Sequence, residues 1–161
     1  MKRSVAAALL LSIAVSSGAA DLSAARQAVA GPPAGWPQAL AGFTGAARGG
    51  DAAAAYWAGL MVRNGKGTEP DSAAARRWLE QAAQGGVPEA MFVLANMQVA
   101  GEGGPADPAA GRTWLERAAA LGHPGALQQL AQMAHAAGAD ESANDLLKES
   151  AHALKHRPAA R

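Results

Sequence analysis

RRWLEQAAQGG, residues 76–86, returns with small changes as RTWLERAAALG, residues 112–122, so that Trp78 and Trp114 stand 36 positions apart. Sliding the chain by the same 36 positions and comparing residues 50–85 with 86–121 gives 14 identities and needs no insertion. Five of these are alanines, which an alanine-rich composition could supply. The other nine are Gly50/Gly86, Met61/Met97, Gly65/Gly101, Gly67/Gly103, Asp71/Asp107, Arg76/Arg112, Trp78/Trp114, Leu79/Leu115 and Glu80/Glu116. A fixed period between about 20 and 50 residues marks a fold built by stacking one small unit on the next.

Each copy is punctuated into two helices. The first, helix A, spans about Asp51 to Arg63 in one copy and Pro88 to Val99 in the next, and each is followed by a glycine pair, Gly65 and Gly67 or Gly101 and Gly103. Glycine reaches the left-handed conformation that ends a helix without the steric penalty of a side chain. The second, helix B, opens on Asp71 or Asp107, whose carboxylates can accept from free backbone amides, and Pro108 fits a first helical position. Strand-forming residues are sparse, so the chain is expected to be all-helical.

The order Ala54, Ala58-Gly59, Met61, Gly65-Lys66-Gly67, Asp71, Ala75, Trp78, Glu80, Ala82-Ala83 and Gly86 resembles the Sel-1-like repeat, a relative of the tetratricopeptide repeat. The second copy matches at Ala90, Leu94, Met97, Gly101, Gly103, Asp107, Trp114, Glu116, Ala118-Ala119 and Gly122. The chain departs from the family where a tyrosine is usual before the glycine pair, at Val62 and Gln98, and where an aliphatic residue usually follows it, at Thr68 and Gly104. Those losses are expected to loosen the turn.

The pattern extends in both directions. Pro124 to Ala136 reads as a third helix A and Asp140 to Ala153 as a third helix B, with Leu147 in the tryptophan's place, three residues missing from the turn and the glycine pair reduced to Gly138. Pro37 to Gly49 reads as a preceding helix B and Asp21 to Ala30 as a short leading helix, joined by a rigid Gly31-Pro32-Pro33-Ala34-Gly35 linker. The expectation is an all-α solenoid of antiparallel helix pairs. It would comprise leading helices over residues 21–49, two full repeats over 50–122, a degenerate third over 123–156 and a disordered tail, 157–161.

Residues 1–20 belong to a different problem. Lys2 and Arg3 precede an apolar run from Val5 to Val15 broken by Ser12, and Ser16-Ser17-Gly18-Ala19-Ala20 offers small residues to a peptidase. This is the pattern of a secretory leader, and its apolar core is too short for a membrane span. Cleavage near Ala20 would remove two of 14 basic residues, leaving 12 against 13 acidic ones and turning a net charge of +1 into −1. A near-neutral chain without a basic run lacks the electrostatic footprint of a nucleic-acid binder. With no cysteine there are no disulfides and no thiol chemistry. The expected location is periplasmic or secreted, with no integral membrane segment after cleavage.

Candidate chemistry is sparse. Glu80 and Glu116 share a repeat position, as do Arg76 and Arg112 four residues earlier, so they read as a helical ion pair in each copy and not as a catalytic dyad. His152 and His156 are four apart, but with Lys148 and Lys155 they suit the end of a helix better than a metal. His123 and His135 show no partner in sequence. The stretch GLMVRNGKG from Gly59 fails as a phosphate loop, because five residues separate Gly59 from Gly65 where the motif has four and no Ser or Thr follows Lys66. No catalytic residue, metal site or cofactor is expected.

Binding follows the opposite logic, since positions that vary between copies are free to carry specificity. On helix A, Trp57, Leu60 and Asn64 lie along one face, and their counterparts are Val93, Asn96 and Ala100, then Gln129, Gln132 and Ala136. Trp57, Leu60, Asn96, Gln129 and Gln132 are the candidate partner-binding residues, an apolar anchor beside amides that can bond a peptide backbone. Trp57 could instead pack under the leading helices, whereas Trp78 and Trp114 are expected in the core. The resemblance implies that helix A lines the concave face and that the chain is a non-enzymatic scaffold or adaptor, and the leader adds the expectation that it works in the bacterial envelope. Some cysteine-rich relatives act on β-lactams, which leaves an accessory or enzyme working on cell-wall material as the alternative, and an uncleaved leader would instead tether the scaffold to a membrane.

Overall fold

The computed structural model describes residues 18–155. Eight α-helices follow one another: α1 Gly18–Ala30, α2 Trp36–Arg48, α3 Ala52–Arg63, α4 Ser72–Gln84, α5 Pro88–Ala100, α6 Pro108–Ala120, α7 Pro124–Ala136 and α8 Asp140–Lys155, with a short 3-10 turn at Pro33–Gly35. Among the described residues there is no strand. They pack as four consecutive pairs, each pair against the next. The chain is thus an α-solenoid in which α1 and α2 form a pair of their own. The expected leader falls largely outside the described residues, and cleavage after Ala19 or Ala20 would fall within α1. The expected tail, 157–161, lies outside them as well.

The repeat is visible at the level of single hydrogen bonds. Asp71 caps α4 by accepting from the Ala74 amide at 2.8 Å, and Asp107 caps α6 by accepting from Ala110 at 3.0 Å. Where helix B turns into the next helix A, Asp51, Val87 and His123 donate their amides to Ala46, Ala82 and Ala118 at 3.2, 3.1 and 3.0 Å. The glycines before them, Gly50, Gly86 and Gly122, all have positive φ. The turns between helices A and B are not loosened by the departures at Val62, Gln98, Thr68 and Gly104. Lys66 donates to Met61 and Glu102 to Met97, both at 2.8 Å, while Asp71 and Asp107 donate back to Val62 and Gln98.

Alanine sets how closely the pairs approach. Ala39, Ala47, Ala54, Ala58, Ala75, Ala82, Ala90, Ala118 and Ala126 are buried, around a few larger residues such as Phe43, Met61, Leu79, Leu94, Met97 and Leu127. Trp78 and Trp114 are not inside this core but half-buried at its margin, with the Arg117 guanidinium 4.9 Å from the Trp114 ring centroid. Helices this close leave no interior volume for an indole; Leu79 and Leu115, one residue on, take the buried positions.

The third pair departs from the expected register. Helix A ends at Ala100 and Ala136, one period apart, but eight residues lead from Ala100 to the cap Asp107, whereas four lead from Ala136 to Ala139. The turn is therefore shorter by four residues, not three. Burial agrees: Ala143 and Ser150 are buried as Gly111 and Ala118 are, and Leu146 is half-buried like the tryptophans. Leu146 stands in the tryptophan's place, and Leu147 in that of Leu79 and Leu115.

Candidate functional site

The helix A row is divided by its packing. Trp57 is half-buried and stacks on Phe43 of α2, centroids 6.0 Å apart and planes 20° from parallel, with Tyr56 edge-on at 5.7 Å. Much of its face is therefore used to join the first two pairs. Leu60 is half-buried beside it. Asn96 donates to the Phe92 carbonyl at 2.9 Å and accepts from Gln129 Nε2 at 3.2 Å, so α5 and α7 are bridged by amides across one repeat interface. Gln132 is exposed and borders an outer groove of about 490 Å³ that also holds His135, Asp140 and Leu147.

Two histidines that showed no partner in sequence have one in the fold. His123 caps α7, its Nδ1 accepting from the Ala126 amide at 3.2 Å, and stacks on Phe92 with centroids 4.7 Å apart. His135 Nδ1 lies 2.6 Å from an oxygen of Asp140. The expected ion pairs Arg76–Glu80 and Arg112–Glu116 are present at 3.3 and 2.8 Å. Among the described residues no three metal-ligating side chains cluster, and His156 lies beyond those residues.

The turns between helices A and B do more than connect. The second glycine of each pair lands on the start of the preceding helix B: a Cβ on Gly67 would sit 2.6 Å from the Trp36 carbonyl, and one on Gly103 would sit 2.2 Å from that of Ser72. The residue between the glycines also reaches back. Lys66 lies over the Trp36 ring at 5.1 Å, and Glu102 takes both prongs of Arg63 at 2.7 Å and accepts from Ser72 at 3.3 Å. The Arg63 hydrogen bonds hold the Glu102 carboxyl below its ordinary value. These clasps escape a reading for binding residues because their partners lie about one period apart. Only a search for opposite charges at that separation would have paired Arg63 with Glu102.

The repeat unit so defined can be set beside known proteins. The Sel1 repeat model matches residues 52–87 and again 88–123, each match covering one helix pair and the turn after it. The chain carries two Sel1 repeats. Among solved structures, the chain is similar to a protective antigen present in uropathogenic Escherichia coli strains that displays an SLR fold, with 27% identity and a TM-score of 0.75 over 84% of this chain. It is also similar to a Sel1 repeat protein from Oxalobacter formigenes, with 22% identity and a TM-score of 0.74 over 90% of this chain. The chain spans 30% of the first of those chains and 59% of the second. No curated protein matches its sequence. Among the described residues, no helix is long and apolar enough to cross a membrane.

Proposed function

We propose that this protein is a non-enzymatic interaction scaffold of the bacterial cell envelope, exported by its leader, which holds a protein or an extended peptide against the helix A faces. The Sel1 repeat itself points to protein partners. The observation that carries the finer reading is the amide bridge Asn96–Gln129 with the exposed Gln132 beside it, polar groups set along one line across two repeats. Amides both donate and accept, which suits them to a main chain whose groups alternate in the same way. Trp57 contributes its remaining edge, its face being committed to Phe43.

The test is cross-linking and pull-down from the cell envelope, comparing wild type with Asn96→Ala/Gln129→Ala/Gln132→Ala. Trp57 is left in place because its loss would disturb α2. A protein captured by wild type and lost by the triple variant supports the reading. Unchanged capture moves the site elsewhere, and capture of cell-wall fragments in place of protein would favour the accessory-enzyme alternative.

A further inference from the structure

We infer that the shortened turn of the third repeat leaves a docking cleft for a short turn-forming segment of another protein, one that carries a bulky aliphatic side chain next to an accepting oxygen. This deepens the scaffold reading and rests on it. Two clefts, of about 310 and 390 Å³, meet at Arg112 and Met133. The first is lined by Val99, Pro108, Gly111 and Leu115, the second by Leu130 and Leu146 among others.

The preceding repeats show what occupies this place when the turn has full length. Met61, Met97 and Met133 are the same repeat position, yet the first two are 1% and 0% exposed and the third 39%. Arg76 and Arg112 are likewise equivalent. Arg76 donates to Glu80 and also, through Nη1 at 3.3 Å, to the Pro105 carbonyl of the next repeat's turn; its side chain is 16% exposed. Arg112 keeps Glu116, but no turn of the third repeat reaches it among the described residues, and its side chain is 61% exposed. The established interface of a turn seated on the preceding helix B thus continues at α6 with its occupant removed.

The chemistry of the missing piece can be read from its surroundings. In the second repeat the residue between the glycines is Glu102, which meets Arg63 and Ser72. One period on, those two positions are Val99 and Pro108, so an aliphatic side chain replaces the carboxylate as the fitting group. Arg112 complements a carbonyl or carboxylate beside it, as Arg76 does for Pro105.

The probe is a peptide, AGLGGPAD, which is the second turn (residues 100–107) carrying Glu102→Leu. It is titrated into the whole protein while the methionine methyl resonances are followed. The expected result is a saturable shift of Met133 that spares Met61 and Met97, weakened about tenfold by Arg112→Gln, a substitution at an exposed side chain. Replacing Ala136–Ala139 with the same eight residues should bury Met133 and abolish the shift, because a tethered segment outcompetes a free one. The inference is overturned if Met133 does not respond at about 10 mM peptide, if the response survives in the graft, or if the resonance depends on protein concentration alone, which would make a second copy the occupant. Partner capture that depends on Asn96, Gln129 and Gln132 while the peptide fails at Met133 would end the cleft and leave the scaffold. Peptide binding with no envelope partner would do the reverse.

Discussion

Arg63 and Glu102, 39 residues apart, are joined by two parallel hydrogen bonds of 2.7 Å each, Nε to Oε1 and Nη2 to Oε2. The pair ties the end of α3 to the turn between α5 and α6, so the first repeat holds the second by a charge fork as well as by apolar packing. Both side chains are about a third exposed, which limits its worth to about 1 kcal/mol. Glu102→Gln should lower stability by that amount at neutral pH. Because Arg63 lowers the folded-state pKa of Glu102, the contribution is complete above the ordinary glutamate value of about 4.3 and disappears as the pH falls through the lowered one. Denaturation of wild type and variant at a series of pH values should therefore converge in acid; a constant gap would mean that the fork is not the source.

The close turn on Ser72 makes a second expectation. Gly103 and Gly122 both have left-handed backbones, φ 75° and 74°, but a Cβ on Gly103 collides with the Ser72 carbonyl whereas one on Gly122 meets nothing within 4 Å. Gly122→Ala should cost about 1 kcal/mol, the conformational penalty alone. Gly103→Ala should cost at least about 1 kcal/mol more, since helix α4 must shift. Equal thermal midpoints for the two would rule out the seated turn.

Leucines at one repeat position should also differ by place. Leu79 and Leu115 are 0% and 2% exposed, whereas Leu147 is 46% exposed and borders the open groove beside Gln132 and His135. Leu79→Ala should lose about 2–4 kcal/mol in chemical denaturation and Leu147→Ala no more than about 0.5. A large loss at Leu147 would show that its face is covered.

Ending the chain after Gly122 removes α7 and α8, and with them the cover over Leu115, Ala118 and Ala119 on α6. The shortened protein should aggregate, as measured by light scattering after size exclusion. A monodisperse, cooperatively melting product would contradict the stacking described here.

Most of the fold was legible because repetition averages out local ambiguity. Asp71 and Asp107 mark the starts of helix B, and Gly86 and Gly122 the turns before helix A, at positions fixed by the 36-residue period. What escaped was information carried between copies. The depth of Trp78 and Trp114 depends on how far the alanines of neighbouring pairs let the helices close, which no single copy states. The cap made by His123 was hidden because the same position holds Asp51 and Val87, so nothing recurs there. Counting from Asp107 to Asp140 aligns two aspartates and makes the third turn three residues short, whereas the burial of Ala143 and Ser150 aligns the helices and makes it four. The candidate row was legible as a face but not as surroundings: Phe43, which occupies Trp57, lies outside the row and is 14 residues away in sequence.

The measurement that reaches the central claim most directly is site-specific photo-cross-linking in living cells. A photoreactive residue would be placed in turn at Gln132 on helix A and at Arg77 on the exposed side of helix B. A scaffold that works through its helix A faces gives a discrete protein adduct from Gln132 and none from Arg77. Adducts from Arg77 alone, or from neither position in any fraction of the envelope, would contradict it.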